Sequence, residues 1–265
     1  MDSYIKIIFS KKNQEIPFLM FYNEYKIFEK GKWFYMNRPI TTLFMLESLD
    51  GKISSGSTDN LDADKDFCRI DGVKEGLHQY YELEEETDIF SLNTGRVMAK
   101  IGVNDRKEYH EKIDAVTFVI IDNKPHLNEN GIDYLCHWVG KLLLVTTNNN
   151  HIAYSLQDKY DNLEILYYDT LDLEKLLEDL YSKYNAERLT IQSGGTLNGM
   201  FVRNKLIDFV NIVIAPIIVG GKDVATLVDG ESITDEKALN KLLPLQLLEC
   251  NKLEDSYIQL KYKVL

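Results

Sequence analysis

The residues that most clearly indicate a chemical role are the adjacent glycines Gly194 and Gly195. They separate the apolar run Leu189-Thr190-Ile191 from a predicted helix. A glycine pair lets backbone N–H groups approach an anion without obstruction by side chains. The first N–H groups of a helix have no partner within the helix, and the helix dipole adds positive potential there. The spacing therefore predicts a phosphate-binding turn, although a plain strand-to-helix turn explains the pair alone equally well.

Two further motifs flank the glycine pair. Ser48-Leu49-Asp50-Gly51-Lys52 lies upstream, and Ala215-Pro216 followed by Gly220-Gly221 lies downstream. From residue types alone, the first motif is most simply an Asp-Gly turn with an exposed lysine. A carboxylate and an ammonium group at this spacing are also able to orient a substrate or to move a proton. The residues by themselves leave both interpretations open.

Taken in this order, the three motifs resemble the reductase of riboflavin biosynthesis. This dihydrofolate-reductase-like family includes the C-terminal half of the bacterial deaminase-reductase and stand-alone archaeal and fungal enzymes. The resemblance runs from about Arg38 to the C-terminus, and residues 226–231 continue it. It implies an α/β fold with a mixed, mainly parallel central sheet and helices on both faces. It also implies NADPH as the cofactor and hydride transfer to the ribosylamine C1 of a pyrimidine phosphate.

The resemblance also implies which residues contact the two ligands. Asp50 and Lys52 fall on a loop beside the nicotinamide and the substrate, and are the predicted catalytic residues. An exposed arginine and a loop-capping threonine are the structural alternatives for Arg96 and Thr146. The peptide bond of the glycine pair is often cis in such proteins, which is a further expectation here. The predicted cofactor contacts, of which the last five occupy pyrophosphate-binding positions, are Thr42, Gly95, Arg96, Thr146, Ser193, Gly194, Gly195, Thr196 and Leu197.

The substrate side departs from the family pattern. Relatives usually carry a glutamate before the glycine pair, where this chain has Ser193, and an arginine-bearing helix before the second strand. Residues 77–86 are instead acidic and aromatic, and like charge opposes a phosphate there. The threonine and acidic pair that usually follow the second strand are also missing from residues 97–102. Three interpretations stay open: the riboflavin-pathway reductase, an NADPH reductase of another cyclic substrate such as a pterin, and a nucleotide-binding protein without turnover.

Composition restricts the class of partner. The 265 residues are 45% hydrophobic, which suffices for a large core, and 42 acidic against 30 basic residues give a formal charge of −12. This charge argues against a nucleic-acid surface, so a small-molecule partner is expected. No run approaches the ~20 apolar residues of a membrane helix, and we expect a cytoplasmic protein. The spacing of the three cysteines and five histidines predicts neither a disulfide framework nor a metal site.

The elements that must position these motifs alternate between strands and helices. Several predicted strands are apolar throughout, which indicates a mainly parallel sheet covered on both faces. Residues 171–180 have the spacing of an amphipathic helix, and the alternation in residues 257–264 predicts a final antiparallel strand. The other predicted strands are residues 41–46, 89–92, 116–121, 141–146, 163–168, 189–192 and 209–214.

The chain divides once by pattern. Residues 1–36 form an aromatic-rich leader of unknown role, with β-prone runs at residues 4–9, 18–22 and 33–36. Residues 37–265 contain no repeat or long linker and are predicted to form a single reductase domain. The family commonly forms homodimers, and the apolar residues 210–219 could contribute to such a contact. A buried central strand explains that stretch equally well.

Overall fold

The computed structural model describes residues 26–29, 32–35 and 37–265. The strands in these ranges are β1 (Lys26–Glu29), β2 (Lys32–Tyr35), β3 (Ile40–Ser48), β4 (Phe90–Thr94), β5 (Ile113–Ile121), β6 (Val139–Thr146), β7 (Leu163–Tyr167), β8 (Arg188–Ile191), β9 (Phe209–Ala215), β10 (Leu245–Lys252) and β11 (Ile258–Val264). The α-helices are α1 (Ala63–Asp66), α2 (His78–Glu85), α3 (Gly95–Lys100), α4 (Glu129–Trp138), α5 (Leu173–Tyr184) and α6 (Gly195–Arg203). The β-prone runs predicted at residues 4–9 and 18–22 lie outside the described residues.

The described residues fall into two compact units, of which the smaller combines those up to Pro39 with residues 174–187. Within its described part, β1 and β2 pair antiparallel, with Ile27 opposite Phe34. The predicted amphipathic helix is confirmed as α5, where Asp179 forms ion pairs with lysines one turn away on either side. The predicted boundary at residue 36 stays a prediction.

The larger unit is built on a nine-stranded sheet with the order β10-β11-β9-β3-β8-β4-β5-β6-β7. All neighbouring strands from β9 to β7 pair in parallel. The consecutive residues Leu142, Leu143 and Leu144 of β6 are all fully buried, as are Val119 and Ile120 of β5. Because successive side chains of a strand point to opposite faces, both faces of the sheet are covered here. The predicted mixed, mainly parallel sheet is confirmed.

The two strands at one end of the sheet are joined by antiparallel pairing, and β11 alone runs opposite to the other strands of this sheet. β11 pairs with β9, with Ile258 opposite Ile214, which confirms the predicted final strand. β10 pairs only with β11 and was not predicted from the sequence. Its start, Leu245-Gln246-Leu247-Leu248, breaks the alternation of a half-buried strand, and a β-bulge follows between Leu247 and Glu249. β9 lies between β3 and β11, as the central-strand interpretation of residues 210–219 predicts.

The parallel pairing brings the sequence motifs to one edge of the sheet. β3, β8 and β9 end at Ser48, Ile191 and Ala215, and each of the three motifs begins at or directly after one of these ends. Carboxyl ends of parallel strands meet at the same edge, where α/β proteins bind their ligands. α2 is fixed near this edge because Tyr80 stacks on Phe44 of β3, with ring centroids 5.2 Å apart.

Candidate active site

A cleft of about 1670 Å³ opens along this edge of the larger unit. Its volume exceeds the roughly 300–1,000 Å³ that a single small ligand fills, so it has room for a cofactor and a second molecule. The lining combines residues from the loop after β3, from α2, from the β4–α3 turn and from the glycine-pair loop. Among them are Ile53, Ser54, Tyr80, Tyr81, Glu84, Thr94, Arg96, Ser193, Gly194, Gly195, Thr196 and Leu197.

The glycine-pair loop leads directly into α6. Gly194 is the N-cap residue, with extended backbone and no side-chain cap, and its carbonyl accepts hydrogen bonds from the N–H groups of Leu197 and Asn198. Within the described part of the chain, the N–H groups of Gly195 and Thr196 make no hydrogen bond. A Cβ atom added to Gly194 would meet nothing closer than Val97 Cγ2 at 4.0 Å. The loop therefore leaves two N–H donors and open space for an anion, as the glycine pair predicts.

A second reason for glycine at position 195 comes from residues 224–230, which we call the strap. The strap lies against the first turn of α6, where the N–H of Asp229 donates to the carbonyl of Gly195 over 2.9 Å. A Cβ atom at position 195 would lie 2.3 Å from both the Thr226 carbonyl oxygen and a carboxylate oxygen of Asp229. At Gly199 it would lie 2.0 Å from the Asp229 carbonyl oxygen. Close packing of the strap, as well as anion access, thus requires glycine.

Ser193, a predicted cofactor contact, has a buried side chain that faces α6. Its hydroxyl donates to Asn198 Oδ1 over 2.6 Å, and Asn198 Nδ2 donates to the carbonyl of Leu227 in the strap over 2.9 Å. The hydroxyl therefore connects the loop to the helix and, through Asn198, to the strap. Its role toward a cofactor stays a prediction.

Asp50 fastens the loop that follows β9. Its carboxylate accepts hydrogen bonds from the Ser48 hydroxyl (2.6 Å) and from the N–H groups of Val219 (3.0 Å) and Gly220 (2.7 Å). These bonds, first of all that from Ser48, lower the pKa of Asp50 to about 2. Gly220 has a φ of 71°, a left-handed conformation that favours glycine. The structure thus joins the Ser-Leu-Asp-Gly-Lys motif to the Gly-Gly end of the downstream motif.

Lys52 holds the strap from the same loop. Its Nζ donates to the carbonyl of Val224 over 3.2 Å, and its backbone forms a β-bridge with Thr226. Neither the Asp50 nor the Lys52 side chain is among the described residues that line the cleft. Ile53 and Ser54, which follow directly, do line it. The catalytic roles of Asp50 and Lys52 stay predictions, and the structure adds a positioning role for each.

The β4–α3 turn places two predicted cofactor contacts. Gly95 begins α3, and a Cβ atom there would lie 2.3 Å from the carboxyl carbon of Asp122. Arg96 lines the cleft and forms an exposed ion pair with Asp59, at 2.7 Å. An exposed pair of this kind contributes about 0–1 kcal/mol, so an anionic ligand can replace Asp59 as the partner of the guanidinium group.

Asp122, which supports this turn, was missed by the sequence analysis. Its buried carboxylate accepts hydrogen bonds from the N–H groups of His126 and Leu127 and from His151 Nε2 at 3.1 Å. Burial raises its pKa, but these bonds outweigh burial and hold the pKa below its usual value. His151 Nδ1 accepts from the N–H of Ala153, which places the ring proton on Nε2, toward Asp122. Its position directly after a predicted strand was the available signal.

Two predicted cofactor contacts lie away from the cleft. Thr146 is buried, donates to the carbonyl of Asp122 over 2.9 Å and accepts from the N–H of Asn148 over 3.1 Å. This is the loop-capping arrangement that was the alternative for Thr146. Thr42 lines a separate pocket of about 240 Å³, together with Phe209 and Tyr262. Neither threonine is among the described residues that line the large cleft.

The acidic, aromatic helix predicted from residues 77–86 is confirmed as α2, and it forms one wall of the cleft. Glu84 of this helix accepts a hydrogen bond from Gln192 Nε2. The Tyr81 hydroxyl donates to Asp64 Oδ1 over 3.3 Å. Burial raises the pKa of Glu84 above its usual value, and burial with nearby carboxylates raises that of Asp64 to about 7. Sequence reasoning did not single out Asp64 or Gln192, which lie outside α2.

Other expectations concern features that the described residues lack. They contain no cis peptide bond, so the expected cis bond between Gly194 and Gly195 is wrong. The Gly194–Gly195 peptide bond is trans, and the extended backbone of Gly194 leads directly into the first turn of α6. None of the described helices is long and apolar enough to cross a membrane. The same residues contain no group of three or more His, Cys, Asp and Glu side chains placed to hold a metal ion, and all three cysteines are free.

A chain similar in sequence is the 2,5-diamino-6-ribosylamino-4(3H)-pyrimidinone 5′-phosphate reductase of Methanothermobacter thermautotrophicus. It is 29% identical over 215 residues, which cover 76% of this chain and 88% of the relative. A further relative with the same name, from Archaeoglobus fulgidus, is 25% identical over 213 residues, covering 77% of this chain and 93% of the relative.

Solved structures share the fold at lower identity. RibD of Acinetobacter baumannii superimposes with a TM-score of 0.61 at 17% identity over 87% of this chain, which spans 59% of that protein. A deaminase/5-amino-6-(5-phosphoribosylamino)uracil reductase of Thermotoga maritima gives a TM-score of 0.59 at 16% identity. The superposition covers 86% of this chain and 57% of the Thermotoga chain. The family model described as the RibD C-terminal domain matches residues 39–258. Fold, motif order and this match agree: the chain belongs to the RibD C-terminal domain family.

Proposed function

We propose that this protein is an NADPH-dependent reductase of a ribosylamino-pyrimidine phosphate, the substrate class named for its relatives. The observation that carries the proposal is the pair of free N–H groups at Gly195 and Thr196, which open into the large cleft at the start of α6. Backbone donors at a helix N-terminus suit the pyrophosphate of a dinucleotide. The exposed guanidinium of Arg96 on the same cleft offers a further anion contact.

The proposed reaction consumes one hydride and one proton. NADPH supplies the hydride, which forms a new C–H bond at the ribosylamine C1. The bond from C1 to the sugar ring oxygen breaks, and this oxygen takes up the proton, so that a ribityl chain results. Asp50, with its pKa lowered to about 2, is ionised at neutral pH and cannot donate this proton. Of the two proposed catalytic residues, Lys52 is therefore the proposed proton donor, while Asp50 holds the loop after β9.

Two other functions were open from the sequence. A reductase of a different cyclic substrate is compatible with the same cleft, where the carboxylates of Asp64 and Glu84 lie on the wall. These groups suit a ligand that presents hydrogen-bond donors rather than a phosphate. Binding of a nucleotide without turnover is separated from both reductases by measuring NADPH consumption.

NADPH is expected to stabilise the folded protein. At a free concentration ten times Kd, binding adds about 1.4 kcal/mol to the free energy of unfolding, which raises Tm by roughly 3–6 °C. A thermal-shift titration with NADPH and NADH measures this.

Arg96→Ala should weaken NADPH binding about tenfold, because a charge-assisted contact is lost. The matched control is Arg69→Ala, another exposed arginine, which lies outside the cleft lining and should leave binding unchanged. Absence of a saturable shift with either nucleotide would contradict the proposed cofactor.

A homodimer is also part of the proposal, with the edge strand β10 as the contact. Leu245, Leu247 and Leu248 on β10 are each roughly half exposed, and Leu239 and Leu242 extend the same apolar stretch. Apolar side chains on an edge strand favour association with another chain. Light scattering on the eluting protein should give twice the chain mass, and Leu247→Lys should shift it toward the monomer. A monomer mass across the micromolar range would refute the dimer.

The proposed location of the protein is the cytoplasm.

A further inference from the structure

The cleft lining contains two groups of opposite chemical character. The free N–H groups of Gly195 and Thr196 offer hydrogen-bond donors to an anion. Asp64, Glu84, Tyr81 and Gln192 also line the cleft, and we call these four residues the acidic wall. A cofactor held through its pyrophosphate leaves this wall for the second molecule. The hydrogen-bonding groups of the wall therefore decide which substrates fit.

The acidic wall presents hydrogen-bond acceptors in a fixed arrangement. The Ser91 hydroxyl donates to Gln192 Oε1 over 2.9 Å, so the amide directs Nε2 toward Glu84 Oε1. This bond fixes one carboxylate oxygen of Glu84, and the other has no hydrogen-bond partner within residues 37–265. Burial raises the pKa of Glu84, because removal from water disfavours its charged form. A ligand group that donates a hydrogen bond to this oxygen would restore the lost solvation.

Two of the cations that line the cleft are engaged by other groups. Lys100 forms a largely buried ion pair with Asp62 at 3.2 Å. Arg106 also lines the cleft, where its Nη1 donates to the Tyr134 hydroxyl over 2.9 Å and its guanidinium lies over the Tyr134 ring. A phosphate at the acidic wall would face the like charge of two carboxylates, which is unfavourable. An amino group there would have the carboxylate oxygens of the wall as hydrogen-bond acceptors.

We propose that the acidic wall binds the amino-substituted edge of the pyrimidine ring and that Glu84 is the residue that selects an amino group over a carbonyl. The names of the relatives contain two ring forms, a 2,5-diamino-pyrimidinone and an amino-uracil, which differ in carrying nitrogen or oxygen at ring carbon 2. An amino group at this position donates to Glu84, whereas a carbonyl oxygen opposes a carboxylate. A half-buried acceptor left unpaired disfavours the wrong ligand. The inference rests on the proposed function and specifies its substrate.

The test measures binding of the two reduced products, the ribitylamino-pyrimidine phosphates with an amino group or an oxygen at ring carbon 2. Both are titrated calorimetrically into the full chain saturated with NADP⁺, so no turnover is needed. The amino form should bind about tenfold to hundredfold more tightly. Glu84→Gln should reduce this ratio to within about threefold, because the amide can donate to the carbonyl. Glu82→Gln, the same change on α2 outside the cleft lining, should keep the ratio.

Three results would overturn the inference: equal or tighter binding of the oxygen form, binding of neither form, or an unchanged ratio in Glu84→Gln. If Glu84→Gln lowers Tm, Asp64→Asn serves as the second variant. The ratio of the two product affinities in the unmodified chain tests the inference independently of both variants. Failure of the proposed function has a different signature. In that case the amino product binds as expected, yet neither unreduced compound causes NADPH consumption.

Discussion

Replacing Gly195 with alanine is expected to lower the free energy of unfolding by about 2 kcal/mol and Tm by about 4–8 °C. The added Cβ atom would lie 2.3 Å from the backbone carbonyl oxygen of Thr226, which no side-chain rotation can move away. Better helix propensity of alanine offsets at most about 1 kcal/mol of this cost. The strap must shift, and because Asp229 of the strap lines the cleft, NADPH affinity should fall as well.

Gly194→Ala is the matched control for this variant. Gly194 has a φ of −71°, which alanine adopts without strain, and the nearest atom to an added Cβ is 4.0 Å away. Its free energy of unfolding should change by less than about 0.5 kcal/mol. Urea denaturation of both variants provides the comparison. Equal stability of Gly195→Ala and the unmodified chain would refute the close packing of the strap on α6.

Asp122→Asn is expected to destabilise the protein by about 3 kcal/mol, which lowers Tm by roughly 6–12 °C. The buried carboxylate accepts from two backbone N–H groups and from His151 Nε2. An asparagine amide turns one acceptor into a donor, so at least one buried N–H group must face another donor. Asp122 also packs directly behind Gly95, and the turn that carries Arg96 should therefore lose its support.

The matched control is Asp114→Asn, which removes the same charge from an aspartate whose side chain is 79% exposed and paired with Lys112. This change should stay within about 0.5 kcal/mol of the unmodified chain. Calorimetric unfolding of both variants measures the difference. A stability loss for Asp122→Asn no greater than that of Asp114→Asn would contradict the role assigned to this buried network.

Much of the fold follows from the sequence because parallel strands covered on both faces leave long apolar runs. β5 and β6 were predictable for this reason, and β11 was predictable from its alternation. β10 was not, because an edge strand with Leu247 and Leu248 exposed on consecutive positions follows neither pattern. Its pairing with β11 is a long-range property that local composition does not encode.

The sequence predicted those parts of the candidate site whose role depends on the backbone rather than on side chains. Glycine at positions 194 and 195 signalled a turn at a helix start, and the structure places it on the cleft. Side-chain direction was harder to predict, because it depends on tertiary partners. Thr146 turns inward to the Asp122 carbonyl, and Asp50 turns to the loop after β9, although the family resemblance implied contacts with the ligands for both. Glu84 becomes informative only when Gln192, distant in sequence, is placed beside it.

Turnover decides whether this chain is an NADPH-dependent reductase of a ribosylamino-pyrimidine phosphate. The full chain is mixed with NADPH and with the ribosylamino-pyrimidine 5′-phosphate in its amino and oxygen ring forms, and loss of the nicotinamide absorbance is followed with product mass. We expect one NADPH to be consumed for each product molecule that has gained two hydrogens. Saturable NADPH binding without any NADPH consumption by either form would contradict it.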